Sequence, residues 1–117
     1  DKKEDKLTAV SNYNLPSKVQ GVAFDDNGSI YLSTSYGRNN SSYLKVYSSL
    51  LSLDKKPNEP KVKVEMPPCS EEVAIADGTV FVLFESASAK YFEGTDGMGK
   101  SPAPIDKLLE VSVASIW

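Results

Sequence analysis

Residues 15–26 read LPSKVQGVAFDD, and residues 66–77 read MPPCSEEVAIAD, so two segments about fifty residues apart align without a gap. After a one-residue deletion the alignment continues, with 28–32 (GSIYL) matched by 78–82 (GTVFV). A self-similarity with this period predicts an array, a solenoid or a propeller built from two copies of one unit. The alignment therefore predicts the architecture before any single strand is considered.

The pattern of apolar and turn residues in each copy predicts four antiparallel strands separated by turns. The predicted strands are 7–15, 19–24, 29–35 and 43–47 in the first copy and 61–66, 72–75, 79–85 and 108–113 in the second. The turns at 25–28 (DDNG) and 77–78 (DG) supply residues that tolerate positive φ, as a tight hairpin requires. Residues 80–84 (VFVLF) are apolar at every position, which predicts a strand buried on both faces.

The composition shifts along the chain predict four regions. They are a charged lead-in at 1–6, a first unit at 7–54, a polar connector at 55–60 and a second unit at 61–117. The second unit contains a Gly- and Pro-rich loop at 86–106, and loops longer than about 12–15 residues are usually functional or disordered. The helical signal is weak, with one possible turn near 48–54.

Charge and residue counts exclude several classes of function. The net charge of -3 over 117 residues argues against a protein that binds nucleic acid by neutralising phosphates. No apolar run approaches the ~18 residues of a membrane span. The chain contains no histidine, so it cannot assemble a Ser-His-Asp or Cys-His site or the usual zinc sites by itself. No cofactor and no metal are predicted, and the single Cys69 is expected to be a small buried residue.

Two sets of segments resemble consecutive blades of bacterial secreted or envelope-associated β-propeller proteins. The first set is 20–24 (QGVAF) with 32–38 (LSTSYGR), and the second is 66–72 (MPPCSEE) with 83–87 (LFESA) and 90–91 (KY). The resemblance implies an all-β, antiparallel fold of two four-stranded blades, part of a larger propeller in the cell envelope or outside the cell. A duplicated β-sandwich or barrel is the alternative fold.

A closed propeller needs at least four blades, whereas this chain supplies two. The resemblance therefore implies that the remaining blades come from the same protein or from further copies of the chain. Unpaired sheet edges would otherwise invite association.

The residues expected to bind a ligand lie where the predicted strands 29–35 and 79–85 run into loops. They are Tyr36, Arg38, Glu85, Ser86, Lys90 and Tyr91. Tyr and Arg suit recognition because they bring a large contact area with little loss of conformational entropy. The predicted function is a non-catalytic binding or interaction module with a protein or carbohydrate partner.

Three other motifs bear on the function. Residues 94–101 (GTDGMGKS) fit the phosphate-loop pattern, but Pro102 and Pro104 would break the helix that such a loop requires, which indicates a chance match. Residues 25–28 lack the ligand spacing of a calcium loop and predict a hairpin turn. Glu71, Glu72 and Glu85 could pair as catalytic carboxylates. The alternative function is accordingly a fragment of a propeller-fold hydrolase that acts on a carbohydrate or an ester.

Overall fold

The structure is a computed structural model, and it describes residues 8–55, 58–88, 93–101 and 105–117. Within these ranges the chain forms seven strands, two short α-helices and one 3-10 turn. In chain order they are β1 Val19–Phe24, β2 Ile30–Thr34, β3 Ser42–Tyr47, α1 Leu50–Asp54, β4 Val62–Met66, β5 Ser70–Ala76, β6 Thr79–Phe84, the 3-10 turn Glu85–Ala87, β7 Leu109–Ser112 and α2 Val113–Ile116.

The strands form two antiparallel sheets, and neither sheet closes on itself. The first sheet has the order β1-β2-β3-β4, and the second has the order β5-β6-β7. Each strand thus pairs with its neighbour in the chain, which is the simplest antiparallel arrangement. The prediction of an all-β, antiparallel fold is confirmed.

Two predictions about the strands are wrong. One concerns where a strand forms, and the other concerns which sheet a strand joins. Residues 8–15 of the predicted first strand form no strand in the structure, where they are exposed and do not pair with a sheet. The predicted strand 61–66 exists as β4, but it pairs with β3 and completes the first sheet. The second sheet consequently has three strands in the described part of the chain, where four were predicted. An alternating pattern specifies the two faces of a strand but not its neighbour.

Residues that the alignment pairs adopt the same local geometry at the start of β1 and β5. Lys18 and Cys69 precede these strands with positive φ angles of 66° and 72°. The carbonyl of Lys18 accepts a hydrogen bond from the Ser35 N–H at 3.1 Å, and that of Cys69 accepts one from the Glu85 N–H at 3.0 Å. Cys69 is buried, as predicted.

The turn between β1 and β2 is held by Asp25. Its carbonyl accepts a hydrogen bond from the Gly28 N–H at 3.1 Å, and its Oδ1 accepts from the N–H groups of Asn27 and Ser29 at 2.9 Å and 3.0 Å. Gly28 has a φ of 81°, which residues with a Cβ rarely adopt. The prediction of a hairpin turn at 25–28 is confirmed.

The core lies between the two sheets, which pack face to face. The first sheet contributes Ala23, Tyr31, Leu44 and Val46, and the second contributes Val73, Val80, Val82 and Phe84. Strands β1 and β5 approach closely at Gly21, where an added Cβ would lie 2.6 Å from the Glu71 carbonyl oxygen and 2.9 Å from the Glu72 Cα. Only glycine allows the two backbones this approach.

Part of the outer face of the first sheet is covered by α1. Its Leu53 is buried with Ile30, Leu32 and Tyr47 in a second apolar cluster. A capping box holds the start of this helix, because the Ser49 side chain accepts a hydrogen bond from the Ser52 N–H. The weak helical signal near 48–54 corresponds to this helix.

The outer face of the second sheet is open. Leu83 on β6 is 48% exposed, whereas its neighbours Val82 and Phe84 point inward and are buried. The prediction that 80–84 is buried on both faces is therefore wrong for this face, because no other described segment of the chain packs over Leu83.

Candidate ligand-binding site

The loop after β2 contacts the segment 93–101 through an ion pair. The Arg38 guanidinium binds the Asp96 carboxylate in a bidentate manner, at 3.2 Å for Nη1 to Oδ1 and 2.5 Å for Nη2 to Oδ2. Nη1 also donates to the Gly99 carbonyl. Arg38 is only 9% exposed, and its guanidinium group connects the two loops by charge-assisted hydrogen bonds.

Asp96 is held by two groups that favour its charged form. The hydrogen bond from Arg38 lowers the pKa of the Asp96 carboxyl below its ordinary value, and a hydrogen bond from the Met98 N–H lowers it further. The carboxylate remains ionised at neutral pH. Both partners of the ion pair are therefore charged at neutral pH.

The segment that fits the phosphate-loop pattern is a series of turns. Residues 93–101 contain no helix, and residues 102–104 lie outside the described residues. Gly94 and Gly97 have positive φ, and the Gly97 N–H donates to the Gly94 carbonyl at 3.0 Å. Within 93–101 there is accordingly no helix N-terminus to face a phosphate.

A cleft of 460 Å³ lies beside the loop after β2. It is lined by Ser17, Lys18, Thr34, Ser35, Tyr36, Asn39, Asn40, Ser41, Tyr43 and Lys45. Each of these side chains carries a hydrogen-bonding group, two of them are cations, and none of the described residues that line the cleft is acidic. The cleft therefore presents hydroxyls, amides and positive charge to solvent.

Two lysines lie close to aromatic rings that line the cleft. The Lys18 Nζ is 4.4 Å from the centre of the Tyr36 ring, and the Lys63 Nζ is 4.4 Å from the centre of the Tyr43 ring. Partial burial lowers the pKa of Lys45, and the nearby charge of Lys63 lowers it further. Lys18 and Lys45 thus line the cleft, and Lys63 lies opposite Lys45 on β4, outside the lining. The Glu65 carboxylate, also outside the lining, accepts a hydrogen bond from the lining residue Ser41 at 2.6 Å.

A second cleft of 500 Å³ lies on the other side of the same loop. Its lining residues are Tyr36, Gly37, Arg38, Asn39, Asn40, Asp96 and Met98. Tyr36 is 63% exposed and borders both clefts. Of the residues predicted to bind a ligand, Tyr36 has the most accessible side chain in the described part of the chain.

The other predicted ligand-binding residues have different surroundings. Ser86 is fully buried, and its Oγ accepts a hydrogen bond from the Ile105 N–H at 2.8 Å. Glu85 is partly buried at the start of the 3-10 turn. Lys90 and Tyr91 lie outside the described residues. The structure brings Tyr36 and Arg38 together at one cleft, and Ser86 supports a loop from inside.

Sequence reasoning missed most of the residues that line the first cleft. Lys18 lies before β1 and Lys45 lies on β3, so they are separated in sequence from Tyr36 and from each other. The alternation of Tyr43 and Lys45 along β3 was the available signal, because it places both on one face of the strand.

The glutamates considered for catalysis do not line either of these clefts. Glu72 instead borders a groove on the open face of the second sheet, and its Oε1 accepts a hydrogen bond from the Val73 N–H at 2.9 Å. Across the described ranges, no group of three His, Cys, Asp or Glu side chains is arranged to hold a metal ion.

Comparisons with protein families, with curated proteins and with solved structures give no match for this chain. In the described part of the chain, no helix has the length and apolar character needed to cross a membrane.

Proposed function

We propose that this protein is a non-catalytic binding module that takes an anionic, hydroxyl-rich ligand, such as an acidic oligosaccharide, in the cleft beside Tyr36. The observation that carries the proposal is the composition of that cleft. Lys18 and Lys45 supply positive charge, and none of the described residues that line the cleft is acidic. The Glu65 carboxylate outside the lining is bound by the Ser41 hydroxyl, and the two lysines outnumber it.

The remaining lining residues suit a sugar. Hydroxyls and amides, including those of Asn39 and Asn40, donate to and accept from sugar hydroxyls. The exposed Tyr36 ring offers a flat apolar surface with a polar end, and such amphipathic rings are common at recognition surfaces. Sulfate or carboxylate groups of the ligand would be bound by the lysines.

The arrangement of the sheets supports a propeller-type protein with two blades. Both sheets are meanders that begin at adjacent strands, β1 and β5, which pack face to face. The shared geometry at Lys18 and Cys69 favours two copies of one unit. A bacterial origin and a secreted or envelope location remain predictions from the sequence resemblance.

Calorimetric titration with a galacturonic acid oligomer tests the proposal. We expect saturable binding that weakens as salt is added, and no binding of a neutral glucose oligomer of the same length. Tyr36→Ala and Lys45→Met should each weaken binding by about tenfold, which corresponds to one ordinary polar or aromatic contact. Lys107→Met is the matched control, because it removes an exposed lysine that does not line the cleft.

Two results would contradict the proposal. Absence of binding to this and to a sulfated oligomer would reject an anionic sugar as the ligand class. Release of shorter products from the oligomer, abolished by Glu71→Gln or Glu85→Gln, would instead favour the hydrolase.

A further inference from the structure

The open face of the second sheet contains an apolar groove of 360 Å³, separate from the proposed ligand cleft. Its lining residues are Glu72, Ala74, Phe81, Leu83 and Leu108. Leu83 and Leu108 are both exposed. Contiguous apolar surface of this kind on a soluble protein commonly marks an interaction site.

The groove corresponds to a surface that is already covered elsewhere in the molecule. In the alignment, continued by one residue, Ala74, Phe81 and Leu83 are matched with Ala23, Tyr31 and Ser33. The latter three residues are buried where the second sheet packs on the first. The same positions are thus an interface in one sheet and an open groove in the other.

The residues that fill the existing interface also have exposed counterparts. Val73 is 3% exposed in the core between the sheets, and Ile75 packs against that core. They align with Val22 and Phe24 on β1, which are 40% and 54% exposed. One copy of the chain therefore has an open apolar groove on the second sheet. It also has exposed apolar residues on β1 of the same kind as those that pack in the existing interface.

We propose that the groove is occupied by the first sheet of a second copy of this chain, with Val22 and Phe24 of that copy against Phe81 and Leu83. The contact is head-to-tail, because the two surfaces that meet are different. It continues the packing that already joins the two sheets within one chain.

Close contacts at the existing interface support the match. Gly21 lies against Glu72, and positions 21 and 72 align with each other. If the packing of the two sheets is repeated between copies, Glu72 of one copy lies against Gly21 of the next. This contact again pairs one glycine with one glutamate. The small residue leaves the space that the larger one needs.

A second pair of contacting residues is polar at the existing interface and apolar at the proposed one. The hydroxyls of Ser33 and Ser70 form a buried hydrogen bond of 2.7 Å between the sheets. The aligned residues are Leu83 and Val19, so a repeated contact would pair two apolar side chains. Both members of the pair change together, and no hydroxyl would be left unpaired.

The helix α1 limits how much of the first sheet can dock. It covers Ile30 and Leu32, so the docking surface lies on the β1 side of that sheet, around Val22 and Phe24. Because each copy has one groove and one docking surface, successive contacts produce a ring if the rotation closes.

Measurement of mass by light scattering and analytical ultracentrifugation over a range of concentrations tests the proposal. We expect the wild type to associate as its concentration rises. Leu83→Glu and Phe24→Glu should each weaken association by about a hundredfold, since each buries a carboxylate in the apolar contact. The control Met98→Glu adds the same charge at an exposed apolar residue in the segment 93–101, away from both strands, and should associate like the wild type.

A mixture of the two variants distinguishes a head-to-tail contact from a symmetric one. The Leu83→Glu copy keeps its docking surface and the Phe24→Glu copy keeps its groove, so the mixture should form 1:1 dimers and no larger species. Leu83→Ser, which introduces the residue found at the aligned position, repeats the test with a smaller change.

Three outcomes would overturn the proposal. The first is a wild type that stays monomeric at millimolar concentration, which would leave the groove to another protein or to another sheet. The second is loss of association in Leu83→Glu alone, which would indicate two grooves meeting face to face. The third is a mixture that stays monomeric although circular dichroism shows that both variants are folded.

Discussion

The two faces of the second sheet carry side chains of similar apolar character but differ in what covers them. On the inner face, Val80, Val82 and Phe84 are buried against the first sheet. On the outer face, Phe81 and Leu83 line an open groove. An apolar pattern thus indicates that a surface gains free energy from being covered, but it does not indicate which element covers it.

Other segments of the same chain cover apolar surface on both faces of the first sheet. Its inner face is covered by the second sheet, and part of its outer face is covered by α1, which follows β3 directly. The helix α2 follows β7 in the same way, but its Val113 and Ile116 pack against the core between the sheets and not over the groove. The difference between the sheets therefore comes from the connecting segments rather than from the strands.

Truncation of two phenylalanines should show the largest contrast between covered and open surfaces. Phe84→Ala removes a buried ring from the core and should lower the free energy of unfolding by about 3–5 kcal/mol. Phe24→Ala removes a half-exposed ring and should cost less than about 1 kcal/mol. Urea unfolding at low protein concentration, where copies are dissociated, measures both. Equal losses would mean that the two rings are equally buried in solution.

A methyl group at Gly21 should test the close approach of the two sheets. Gly21→Ala places a Cβ against the backbone of Glu71 and Glu72, and this overpacking should cost about 1–3 kcal/mol. Thermal unfolding followed by circular dichroism gives the value. The control is Gln20→Ala, an exposed neighbour on β1, which should change stability by less than about 0.5 kcal/mol. A neutral Gly21→Ala would show that the sheets are further apart.

The buried hydroxyl pair should give the smallest effect. Ser33→Ala leaves the Ser70 hydroxyl unpaired in the interface and should cost about 1–2 kcal/mol. The double variant Ser33→Ala/Ser70→Ala should cost less than the two single variants together, because it leaves no unpaired hydroxyl. Chemical denaturation of all four proteins measures the coupling. Strict additivity would contradict the hydrogen bond.

Much of the local structure could be predicted from the sequence. The hairpin at 25–28 follows from residues whose side chains and φ preferences favour a turn, and β1 was predicted with its observed bounds. The aligned positions also have equivalent pairing in the two hairpins, with Phe24 opposite Ile30 and Ile75 opposite Val80. These features depend on neighbours within a few residues.

The alignment was less reliable after the long loop. When 43–47 (YLKVY) is aligned with 108–112 (LLEVS), Tyr47 matches Ser112. The structure instead places Tyr47 opposite Ile30 and Val111 opposite Val80. The pairing of β7 is therefore displaced by one residue, which exchanges the two faces of that strand. The loops before β3 and β7 differ in length, and the sequence alone does not specify where the strand resumes.

The candidate site was predicted in part. The sequence singled out Tyr36 and Arg38, but not that Arg38 would bind Asp96, which is 58 residues away. It also did not bring Lys18 and Lys45 into one cleft. Such contacts depend on how two loops and two strands meet, and no local pattern records that.

The sequence by itself determined most of the strands, the turn at 25–28 and the apolar character of both faces of β6, because these follow from side-chain type and spacing. Only the tertiary structure decided that β4 joins the first sheet, that Arg38 is committed to Asp96 and that the groove beside Leu83 is open. Those outcomes depend on contacts between segments far apart in the chain, where packing and competition between possible partners determine which surface is covered.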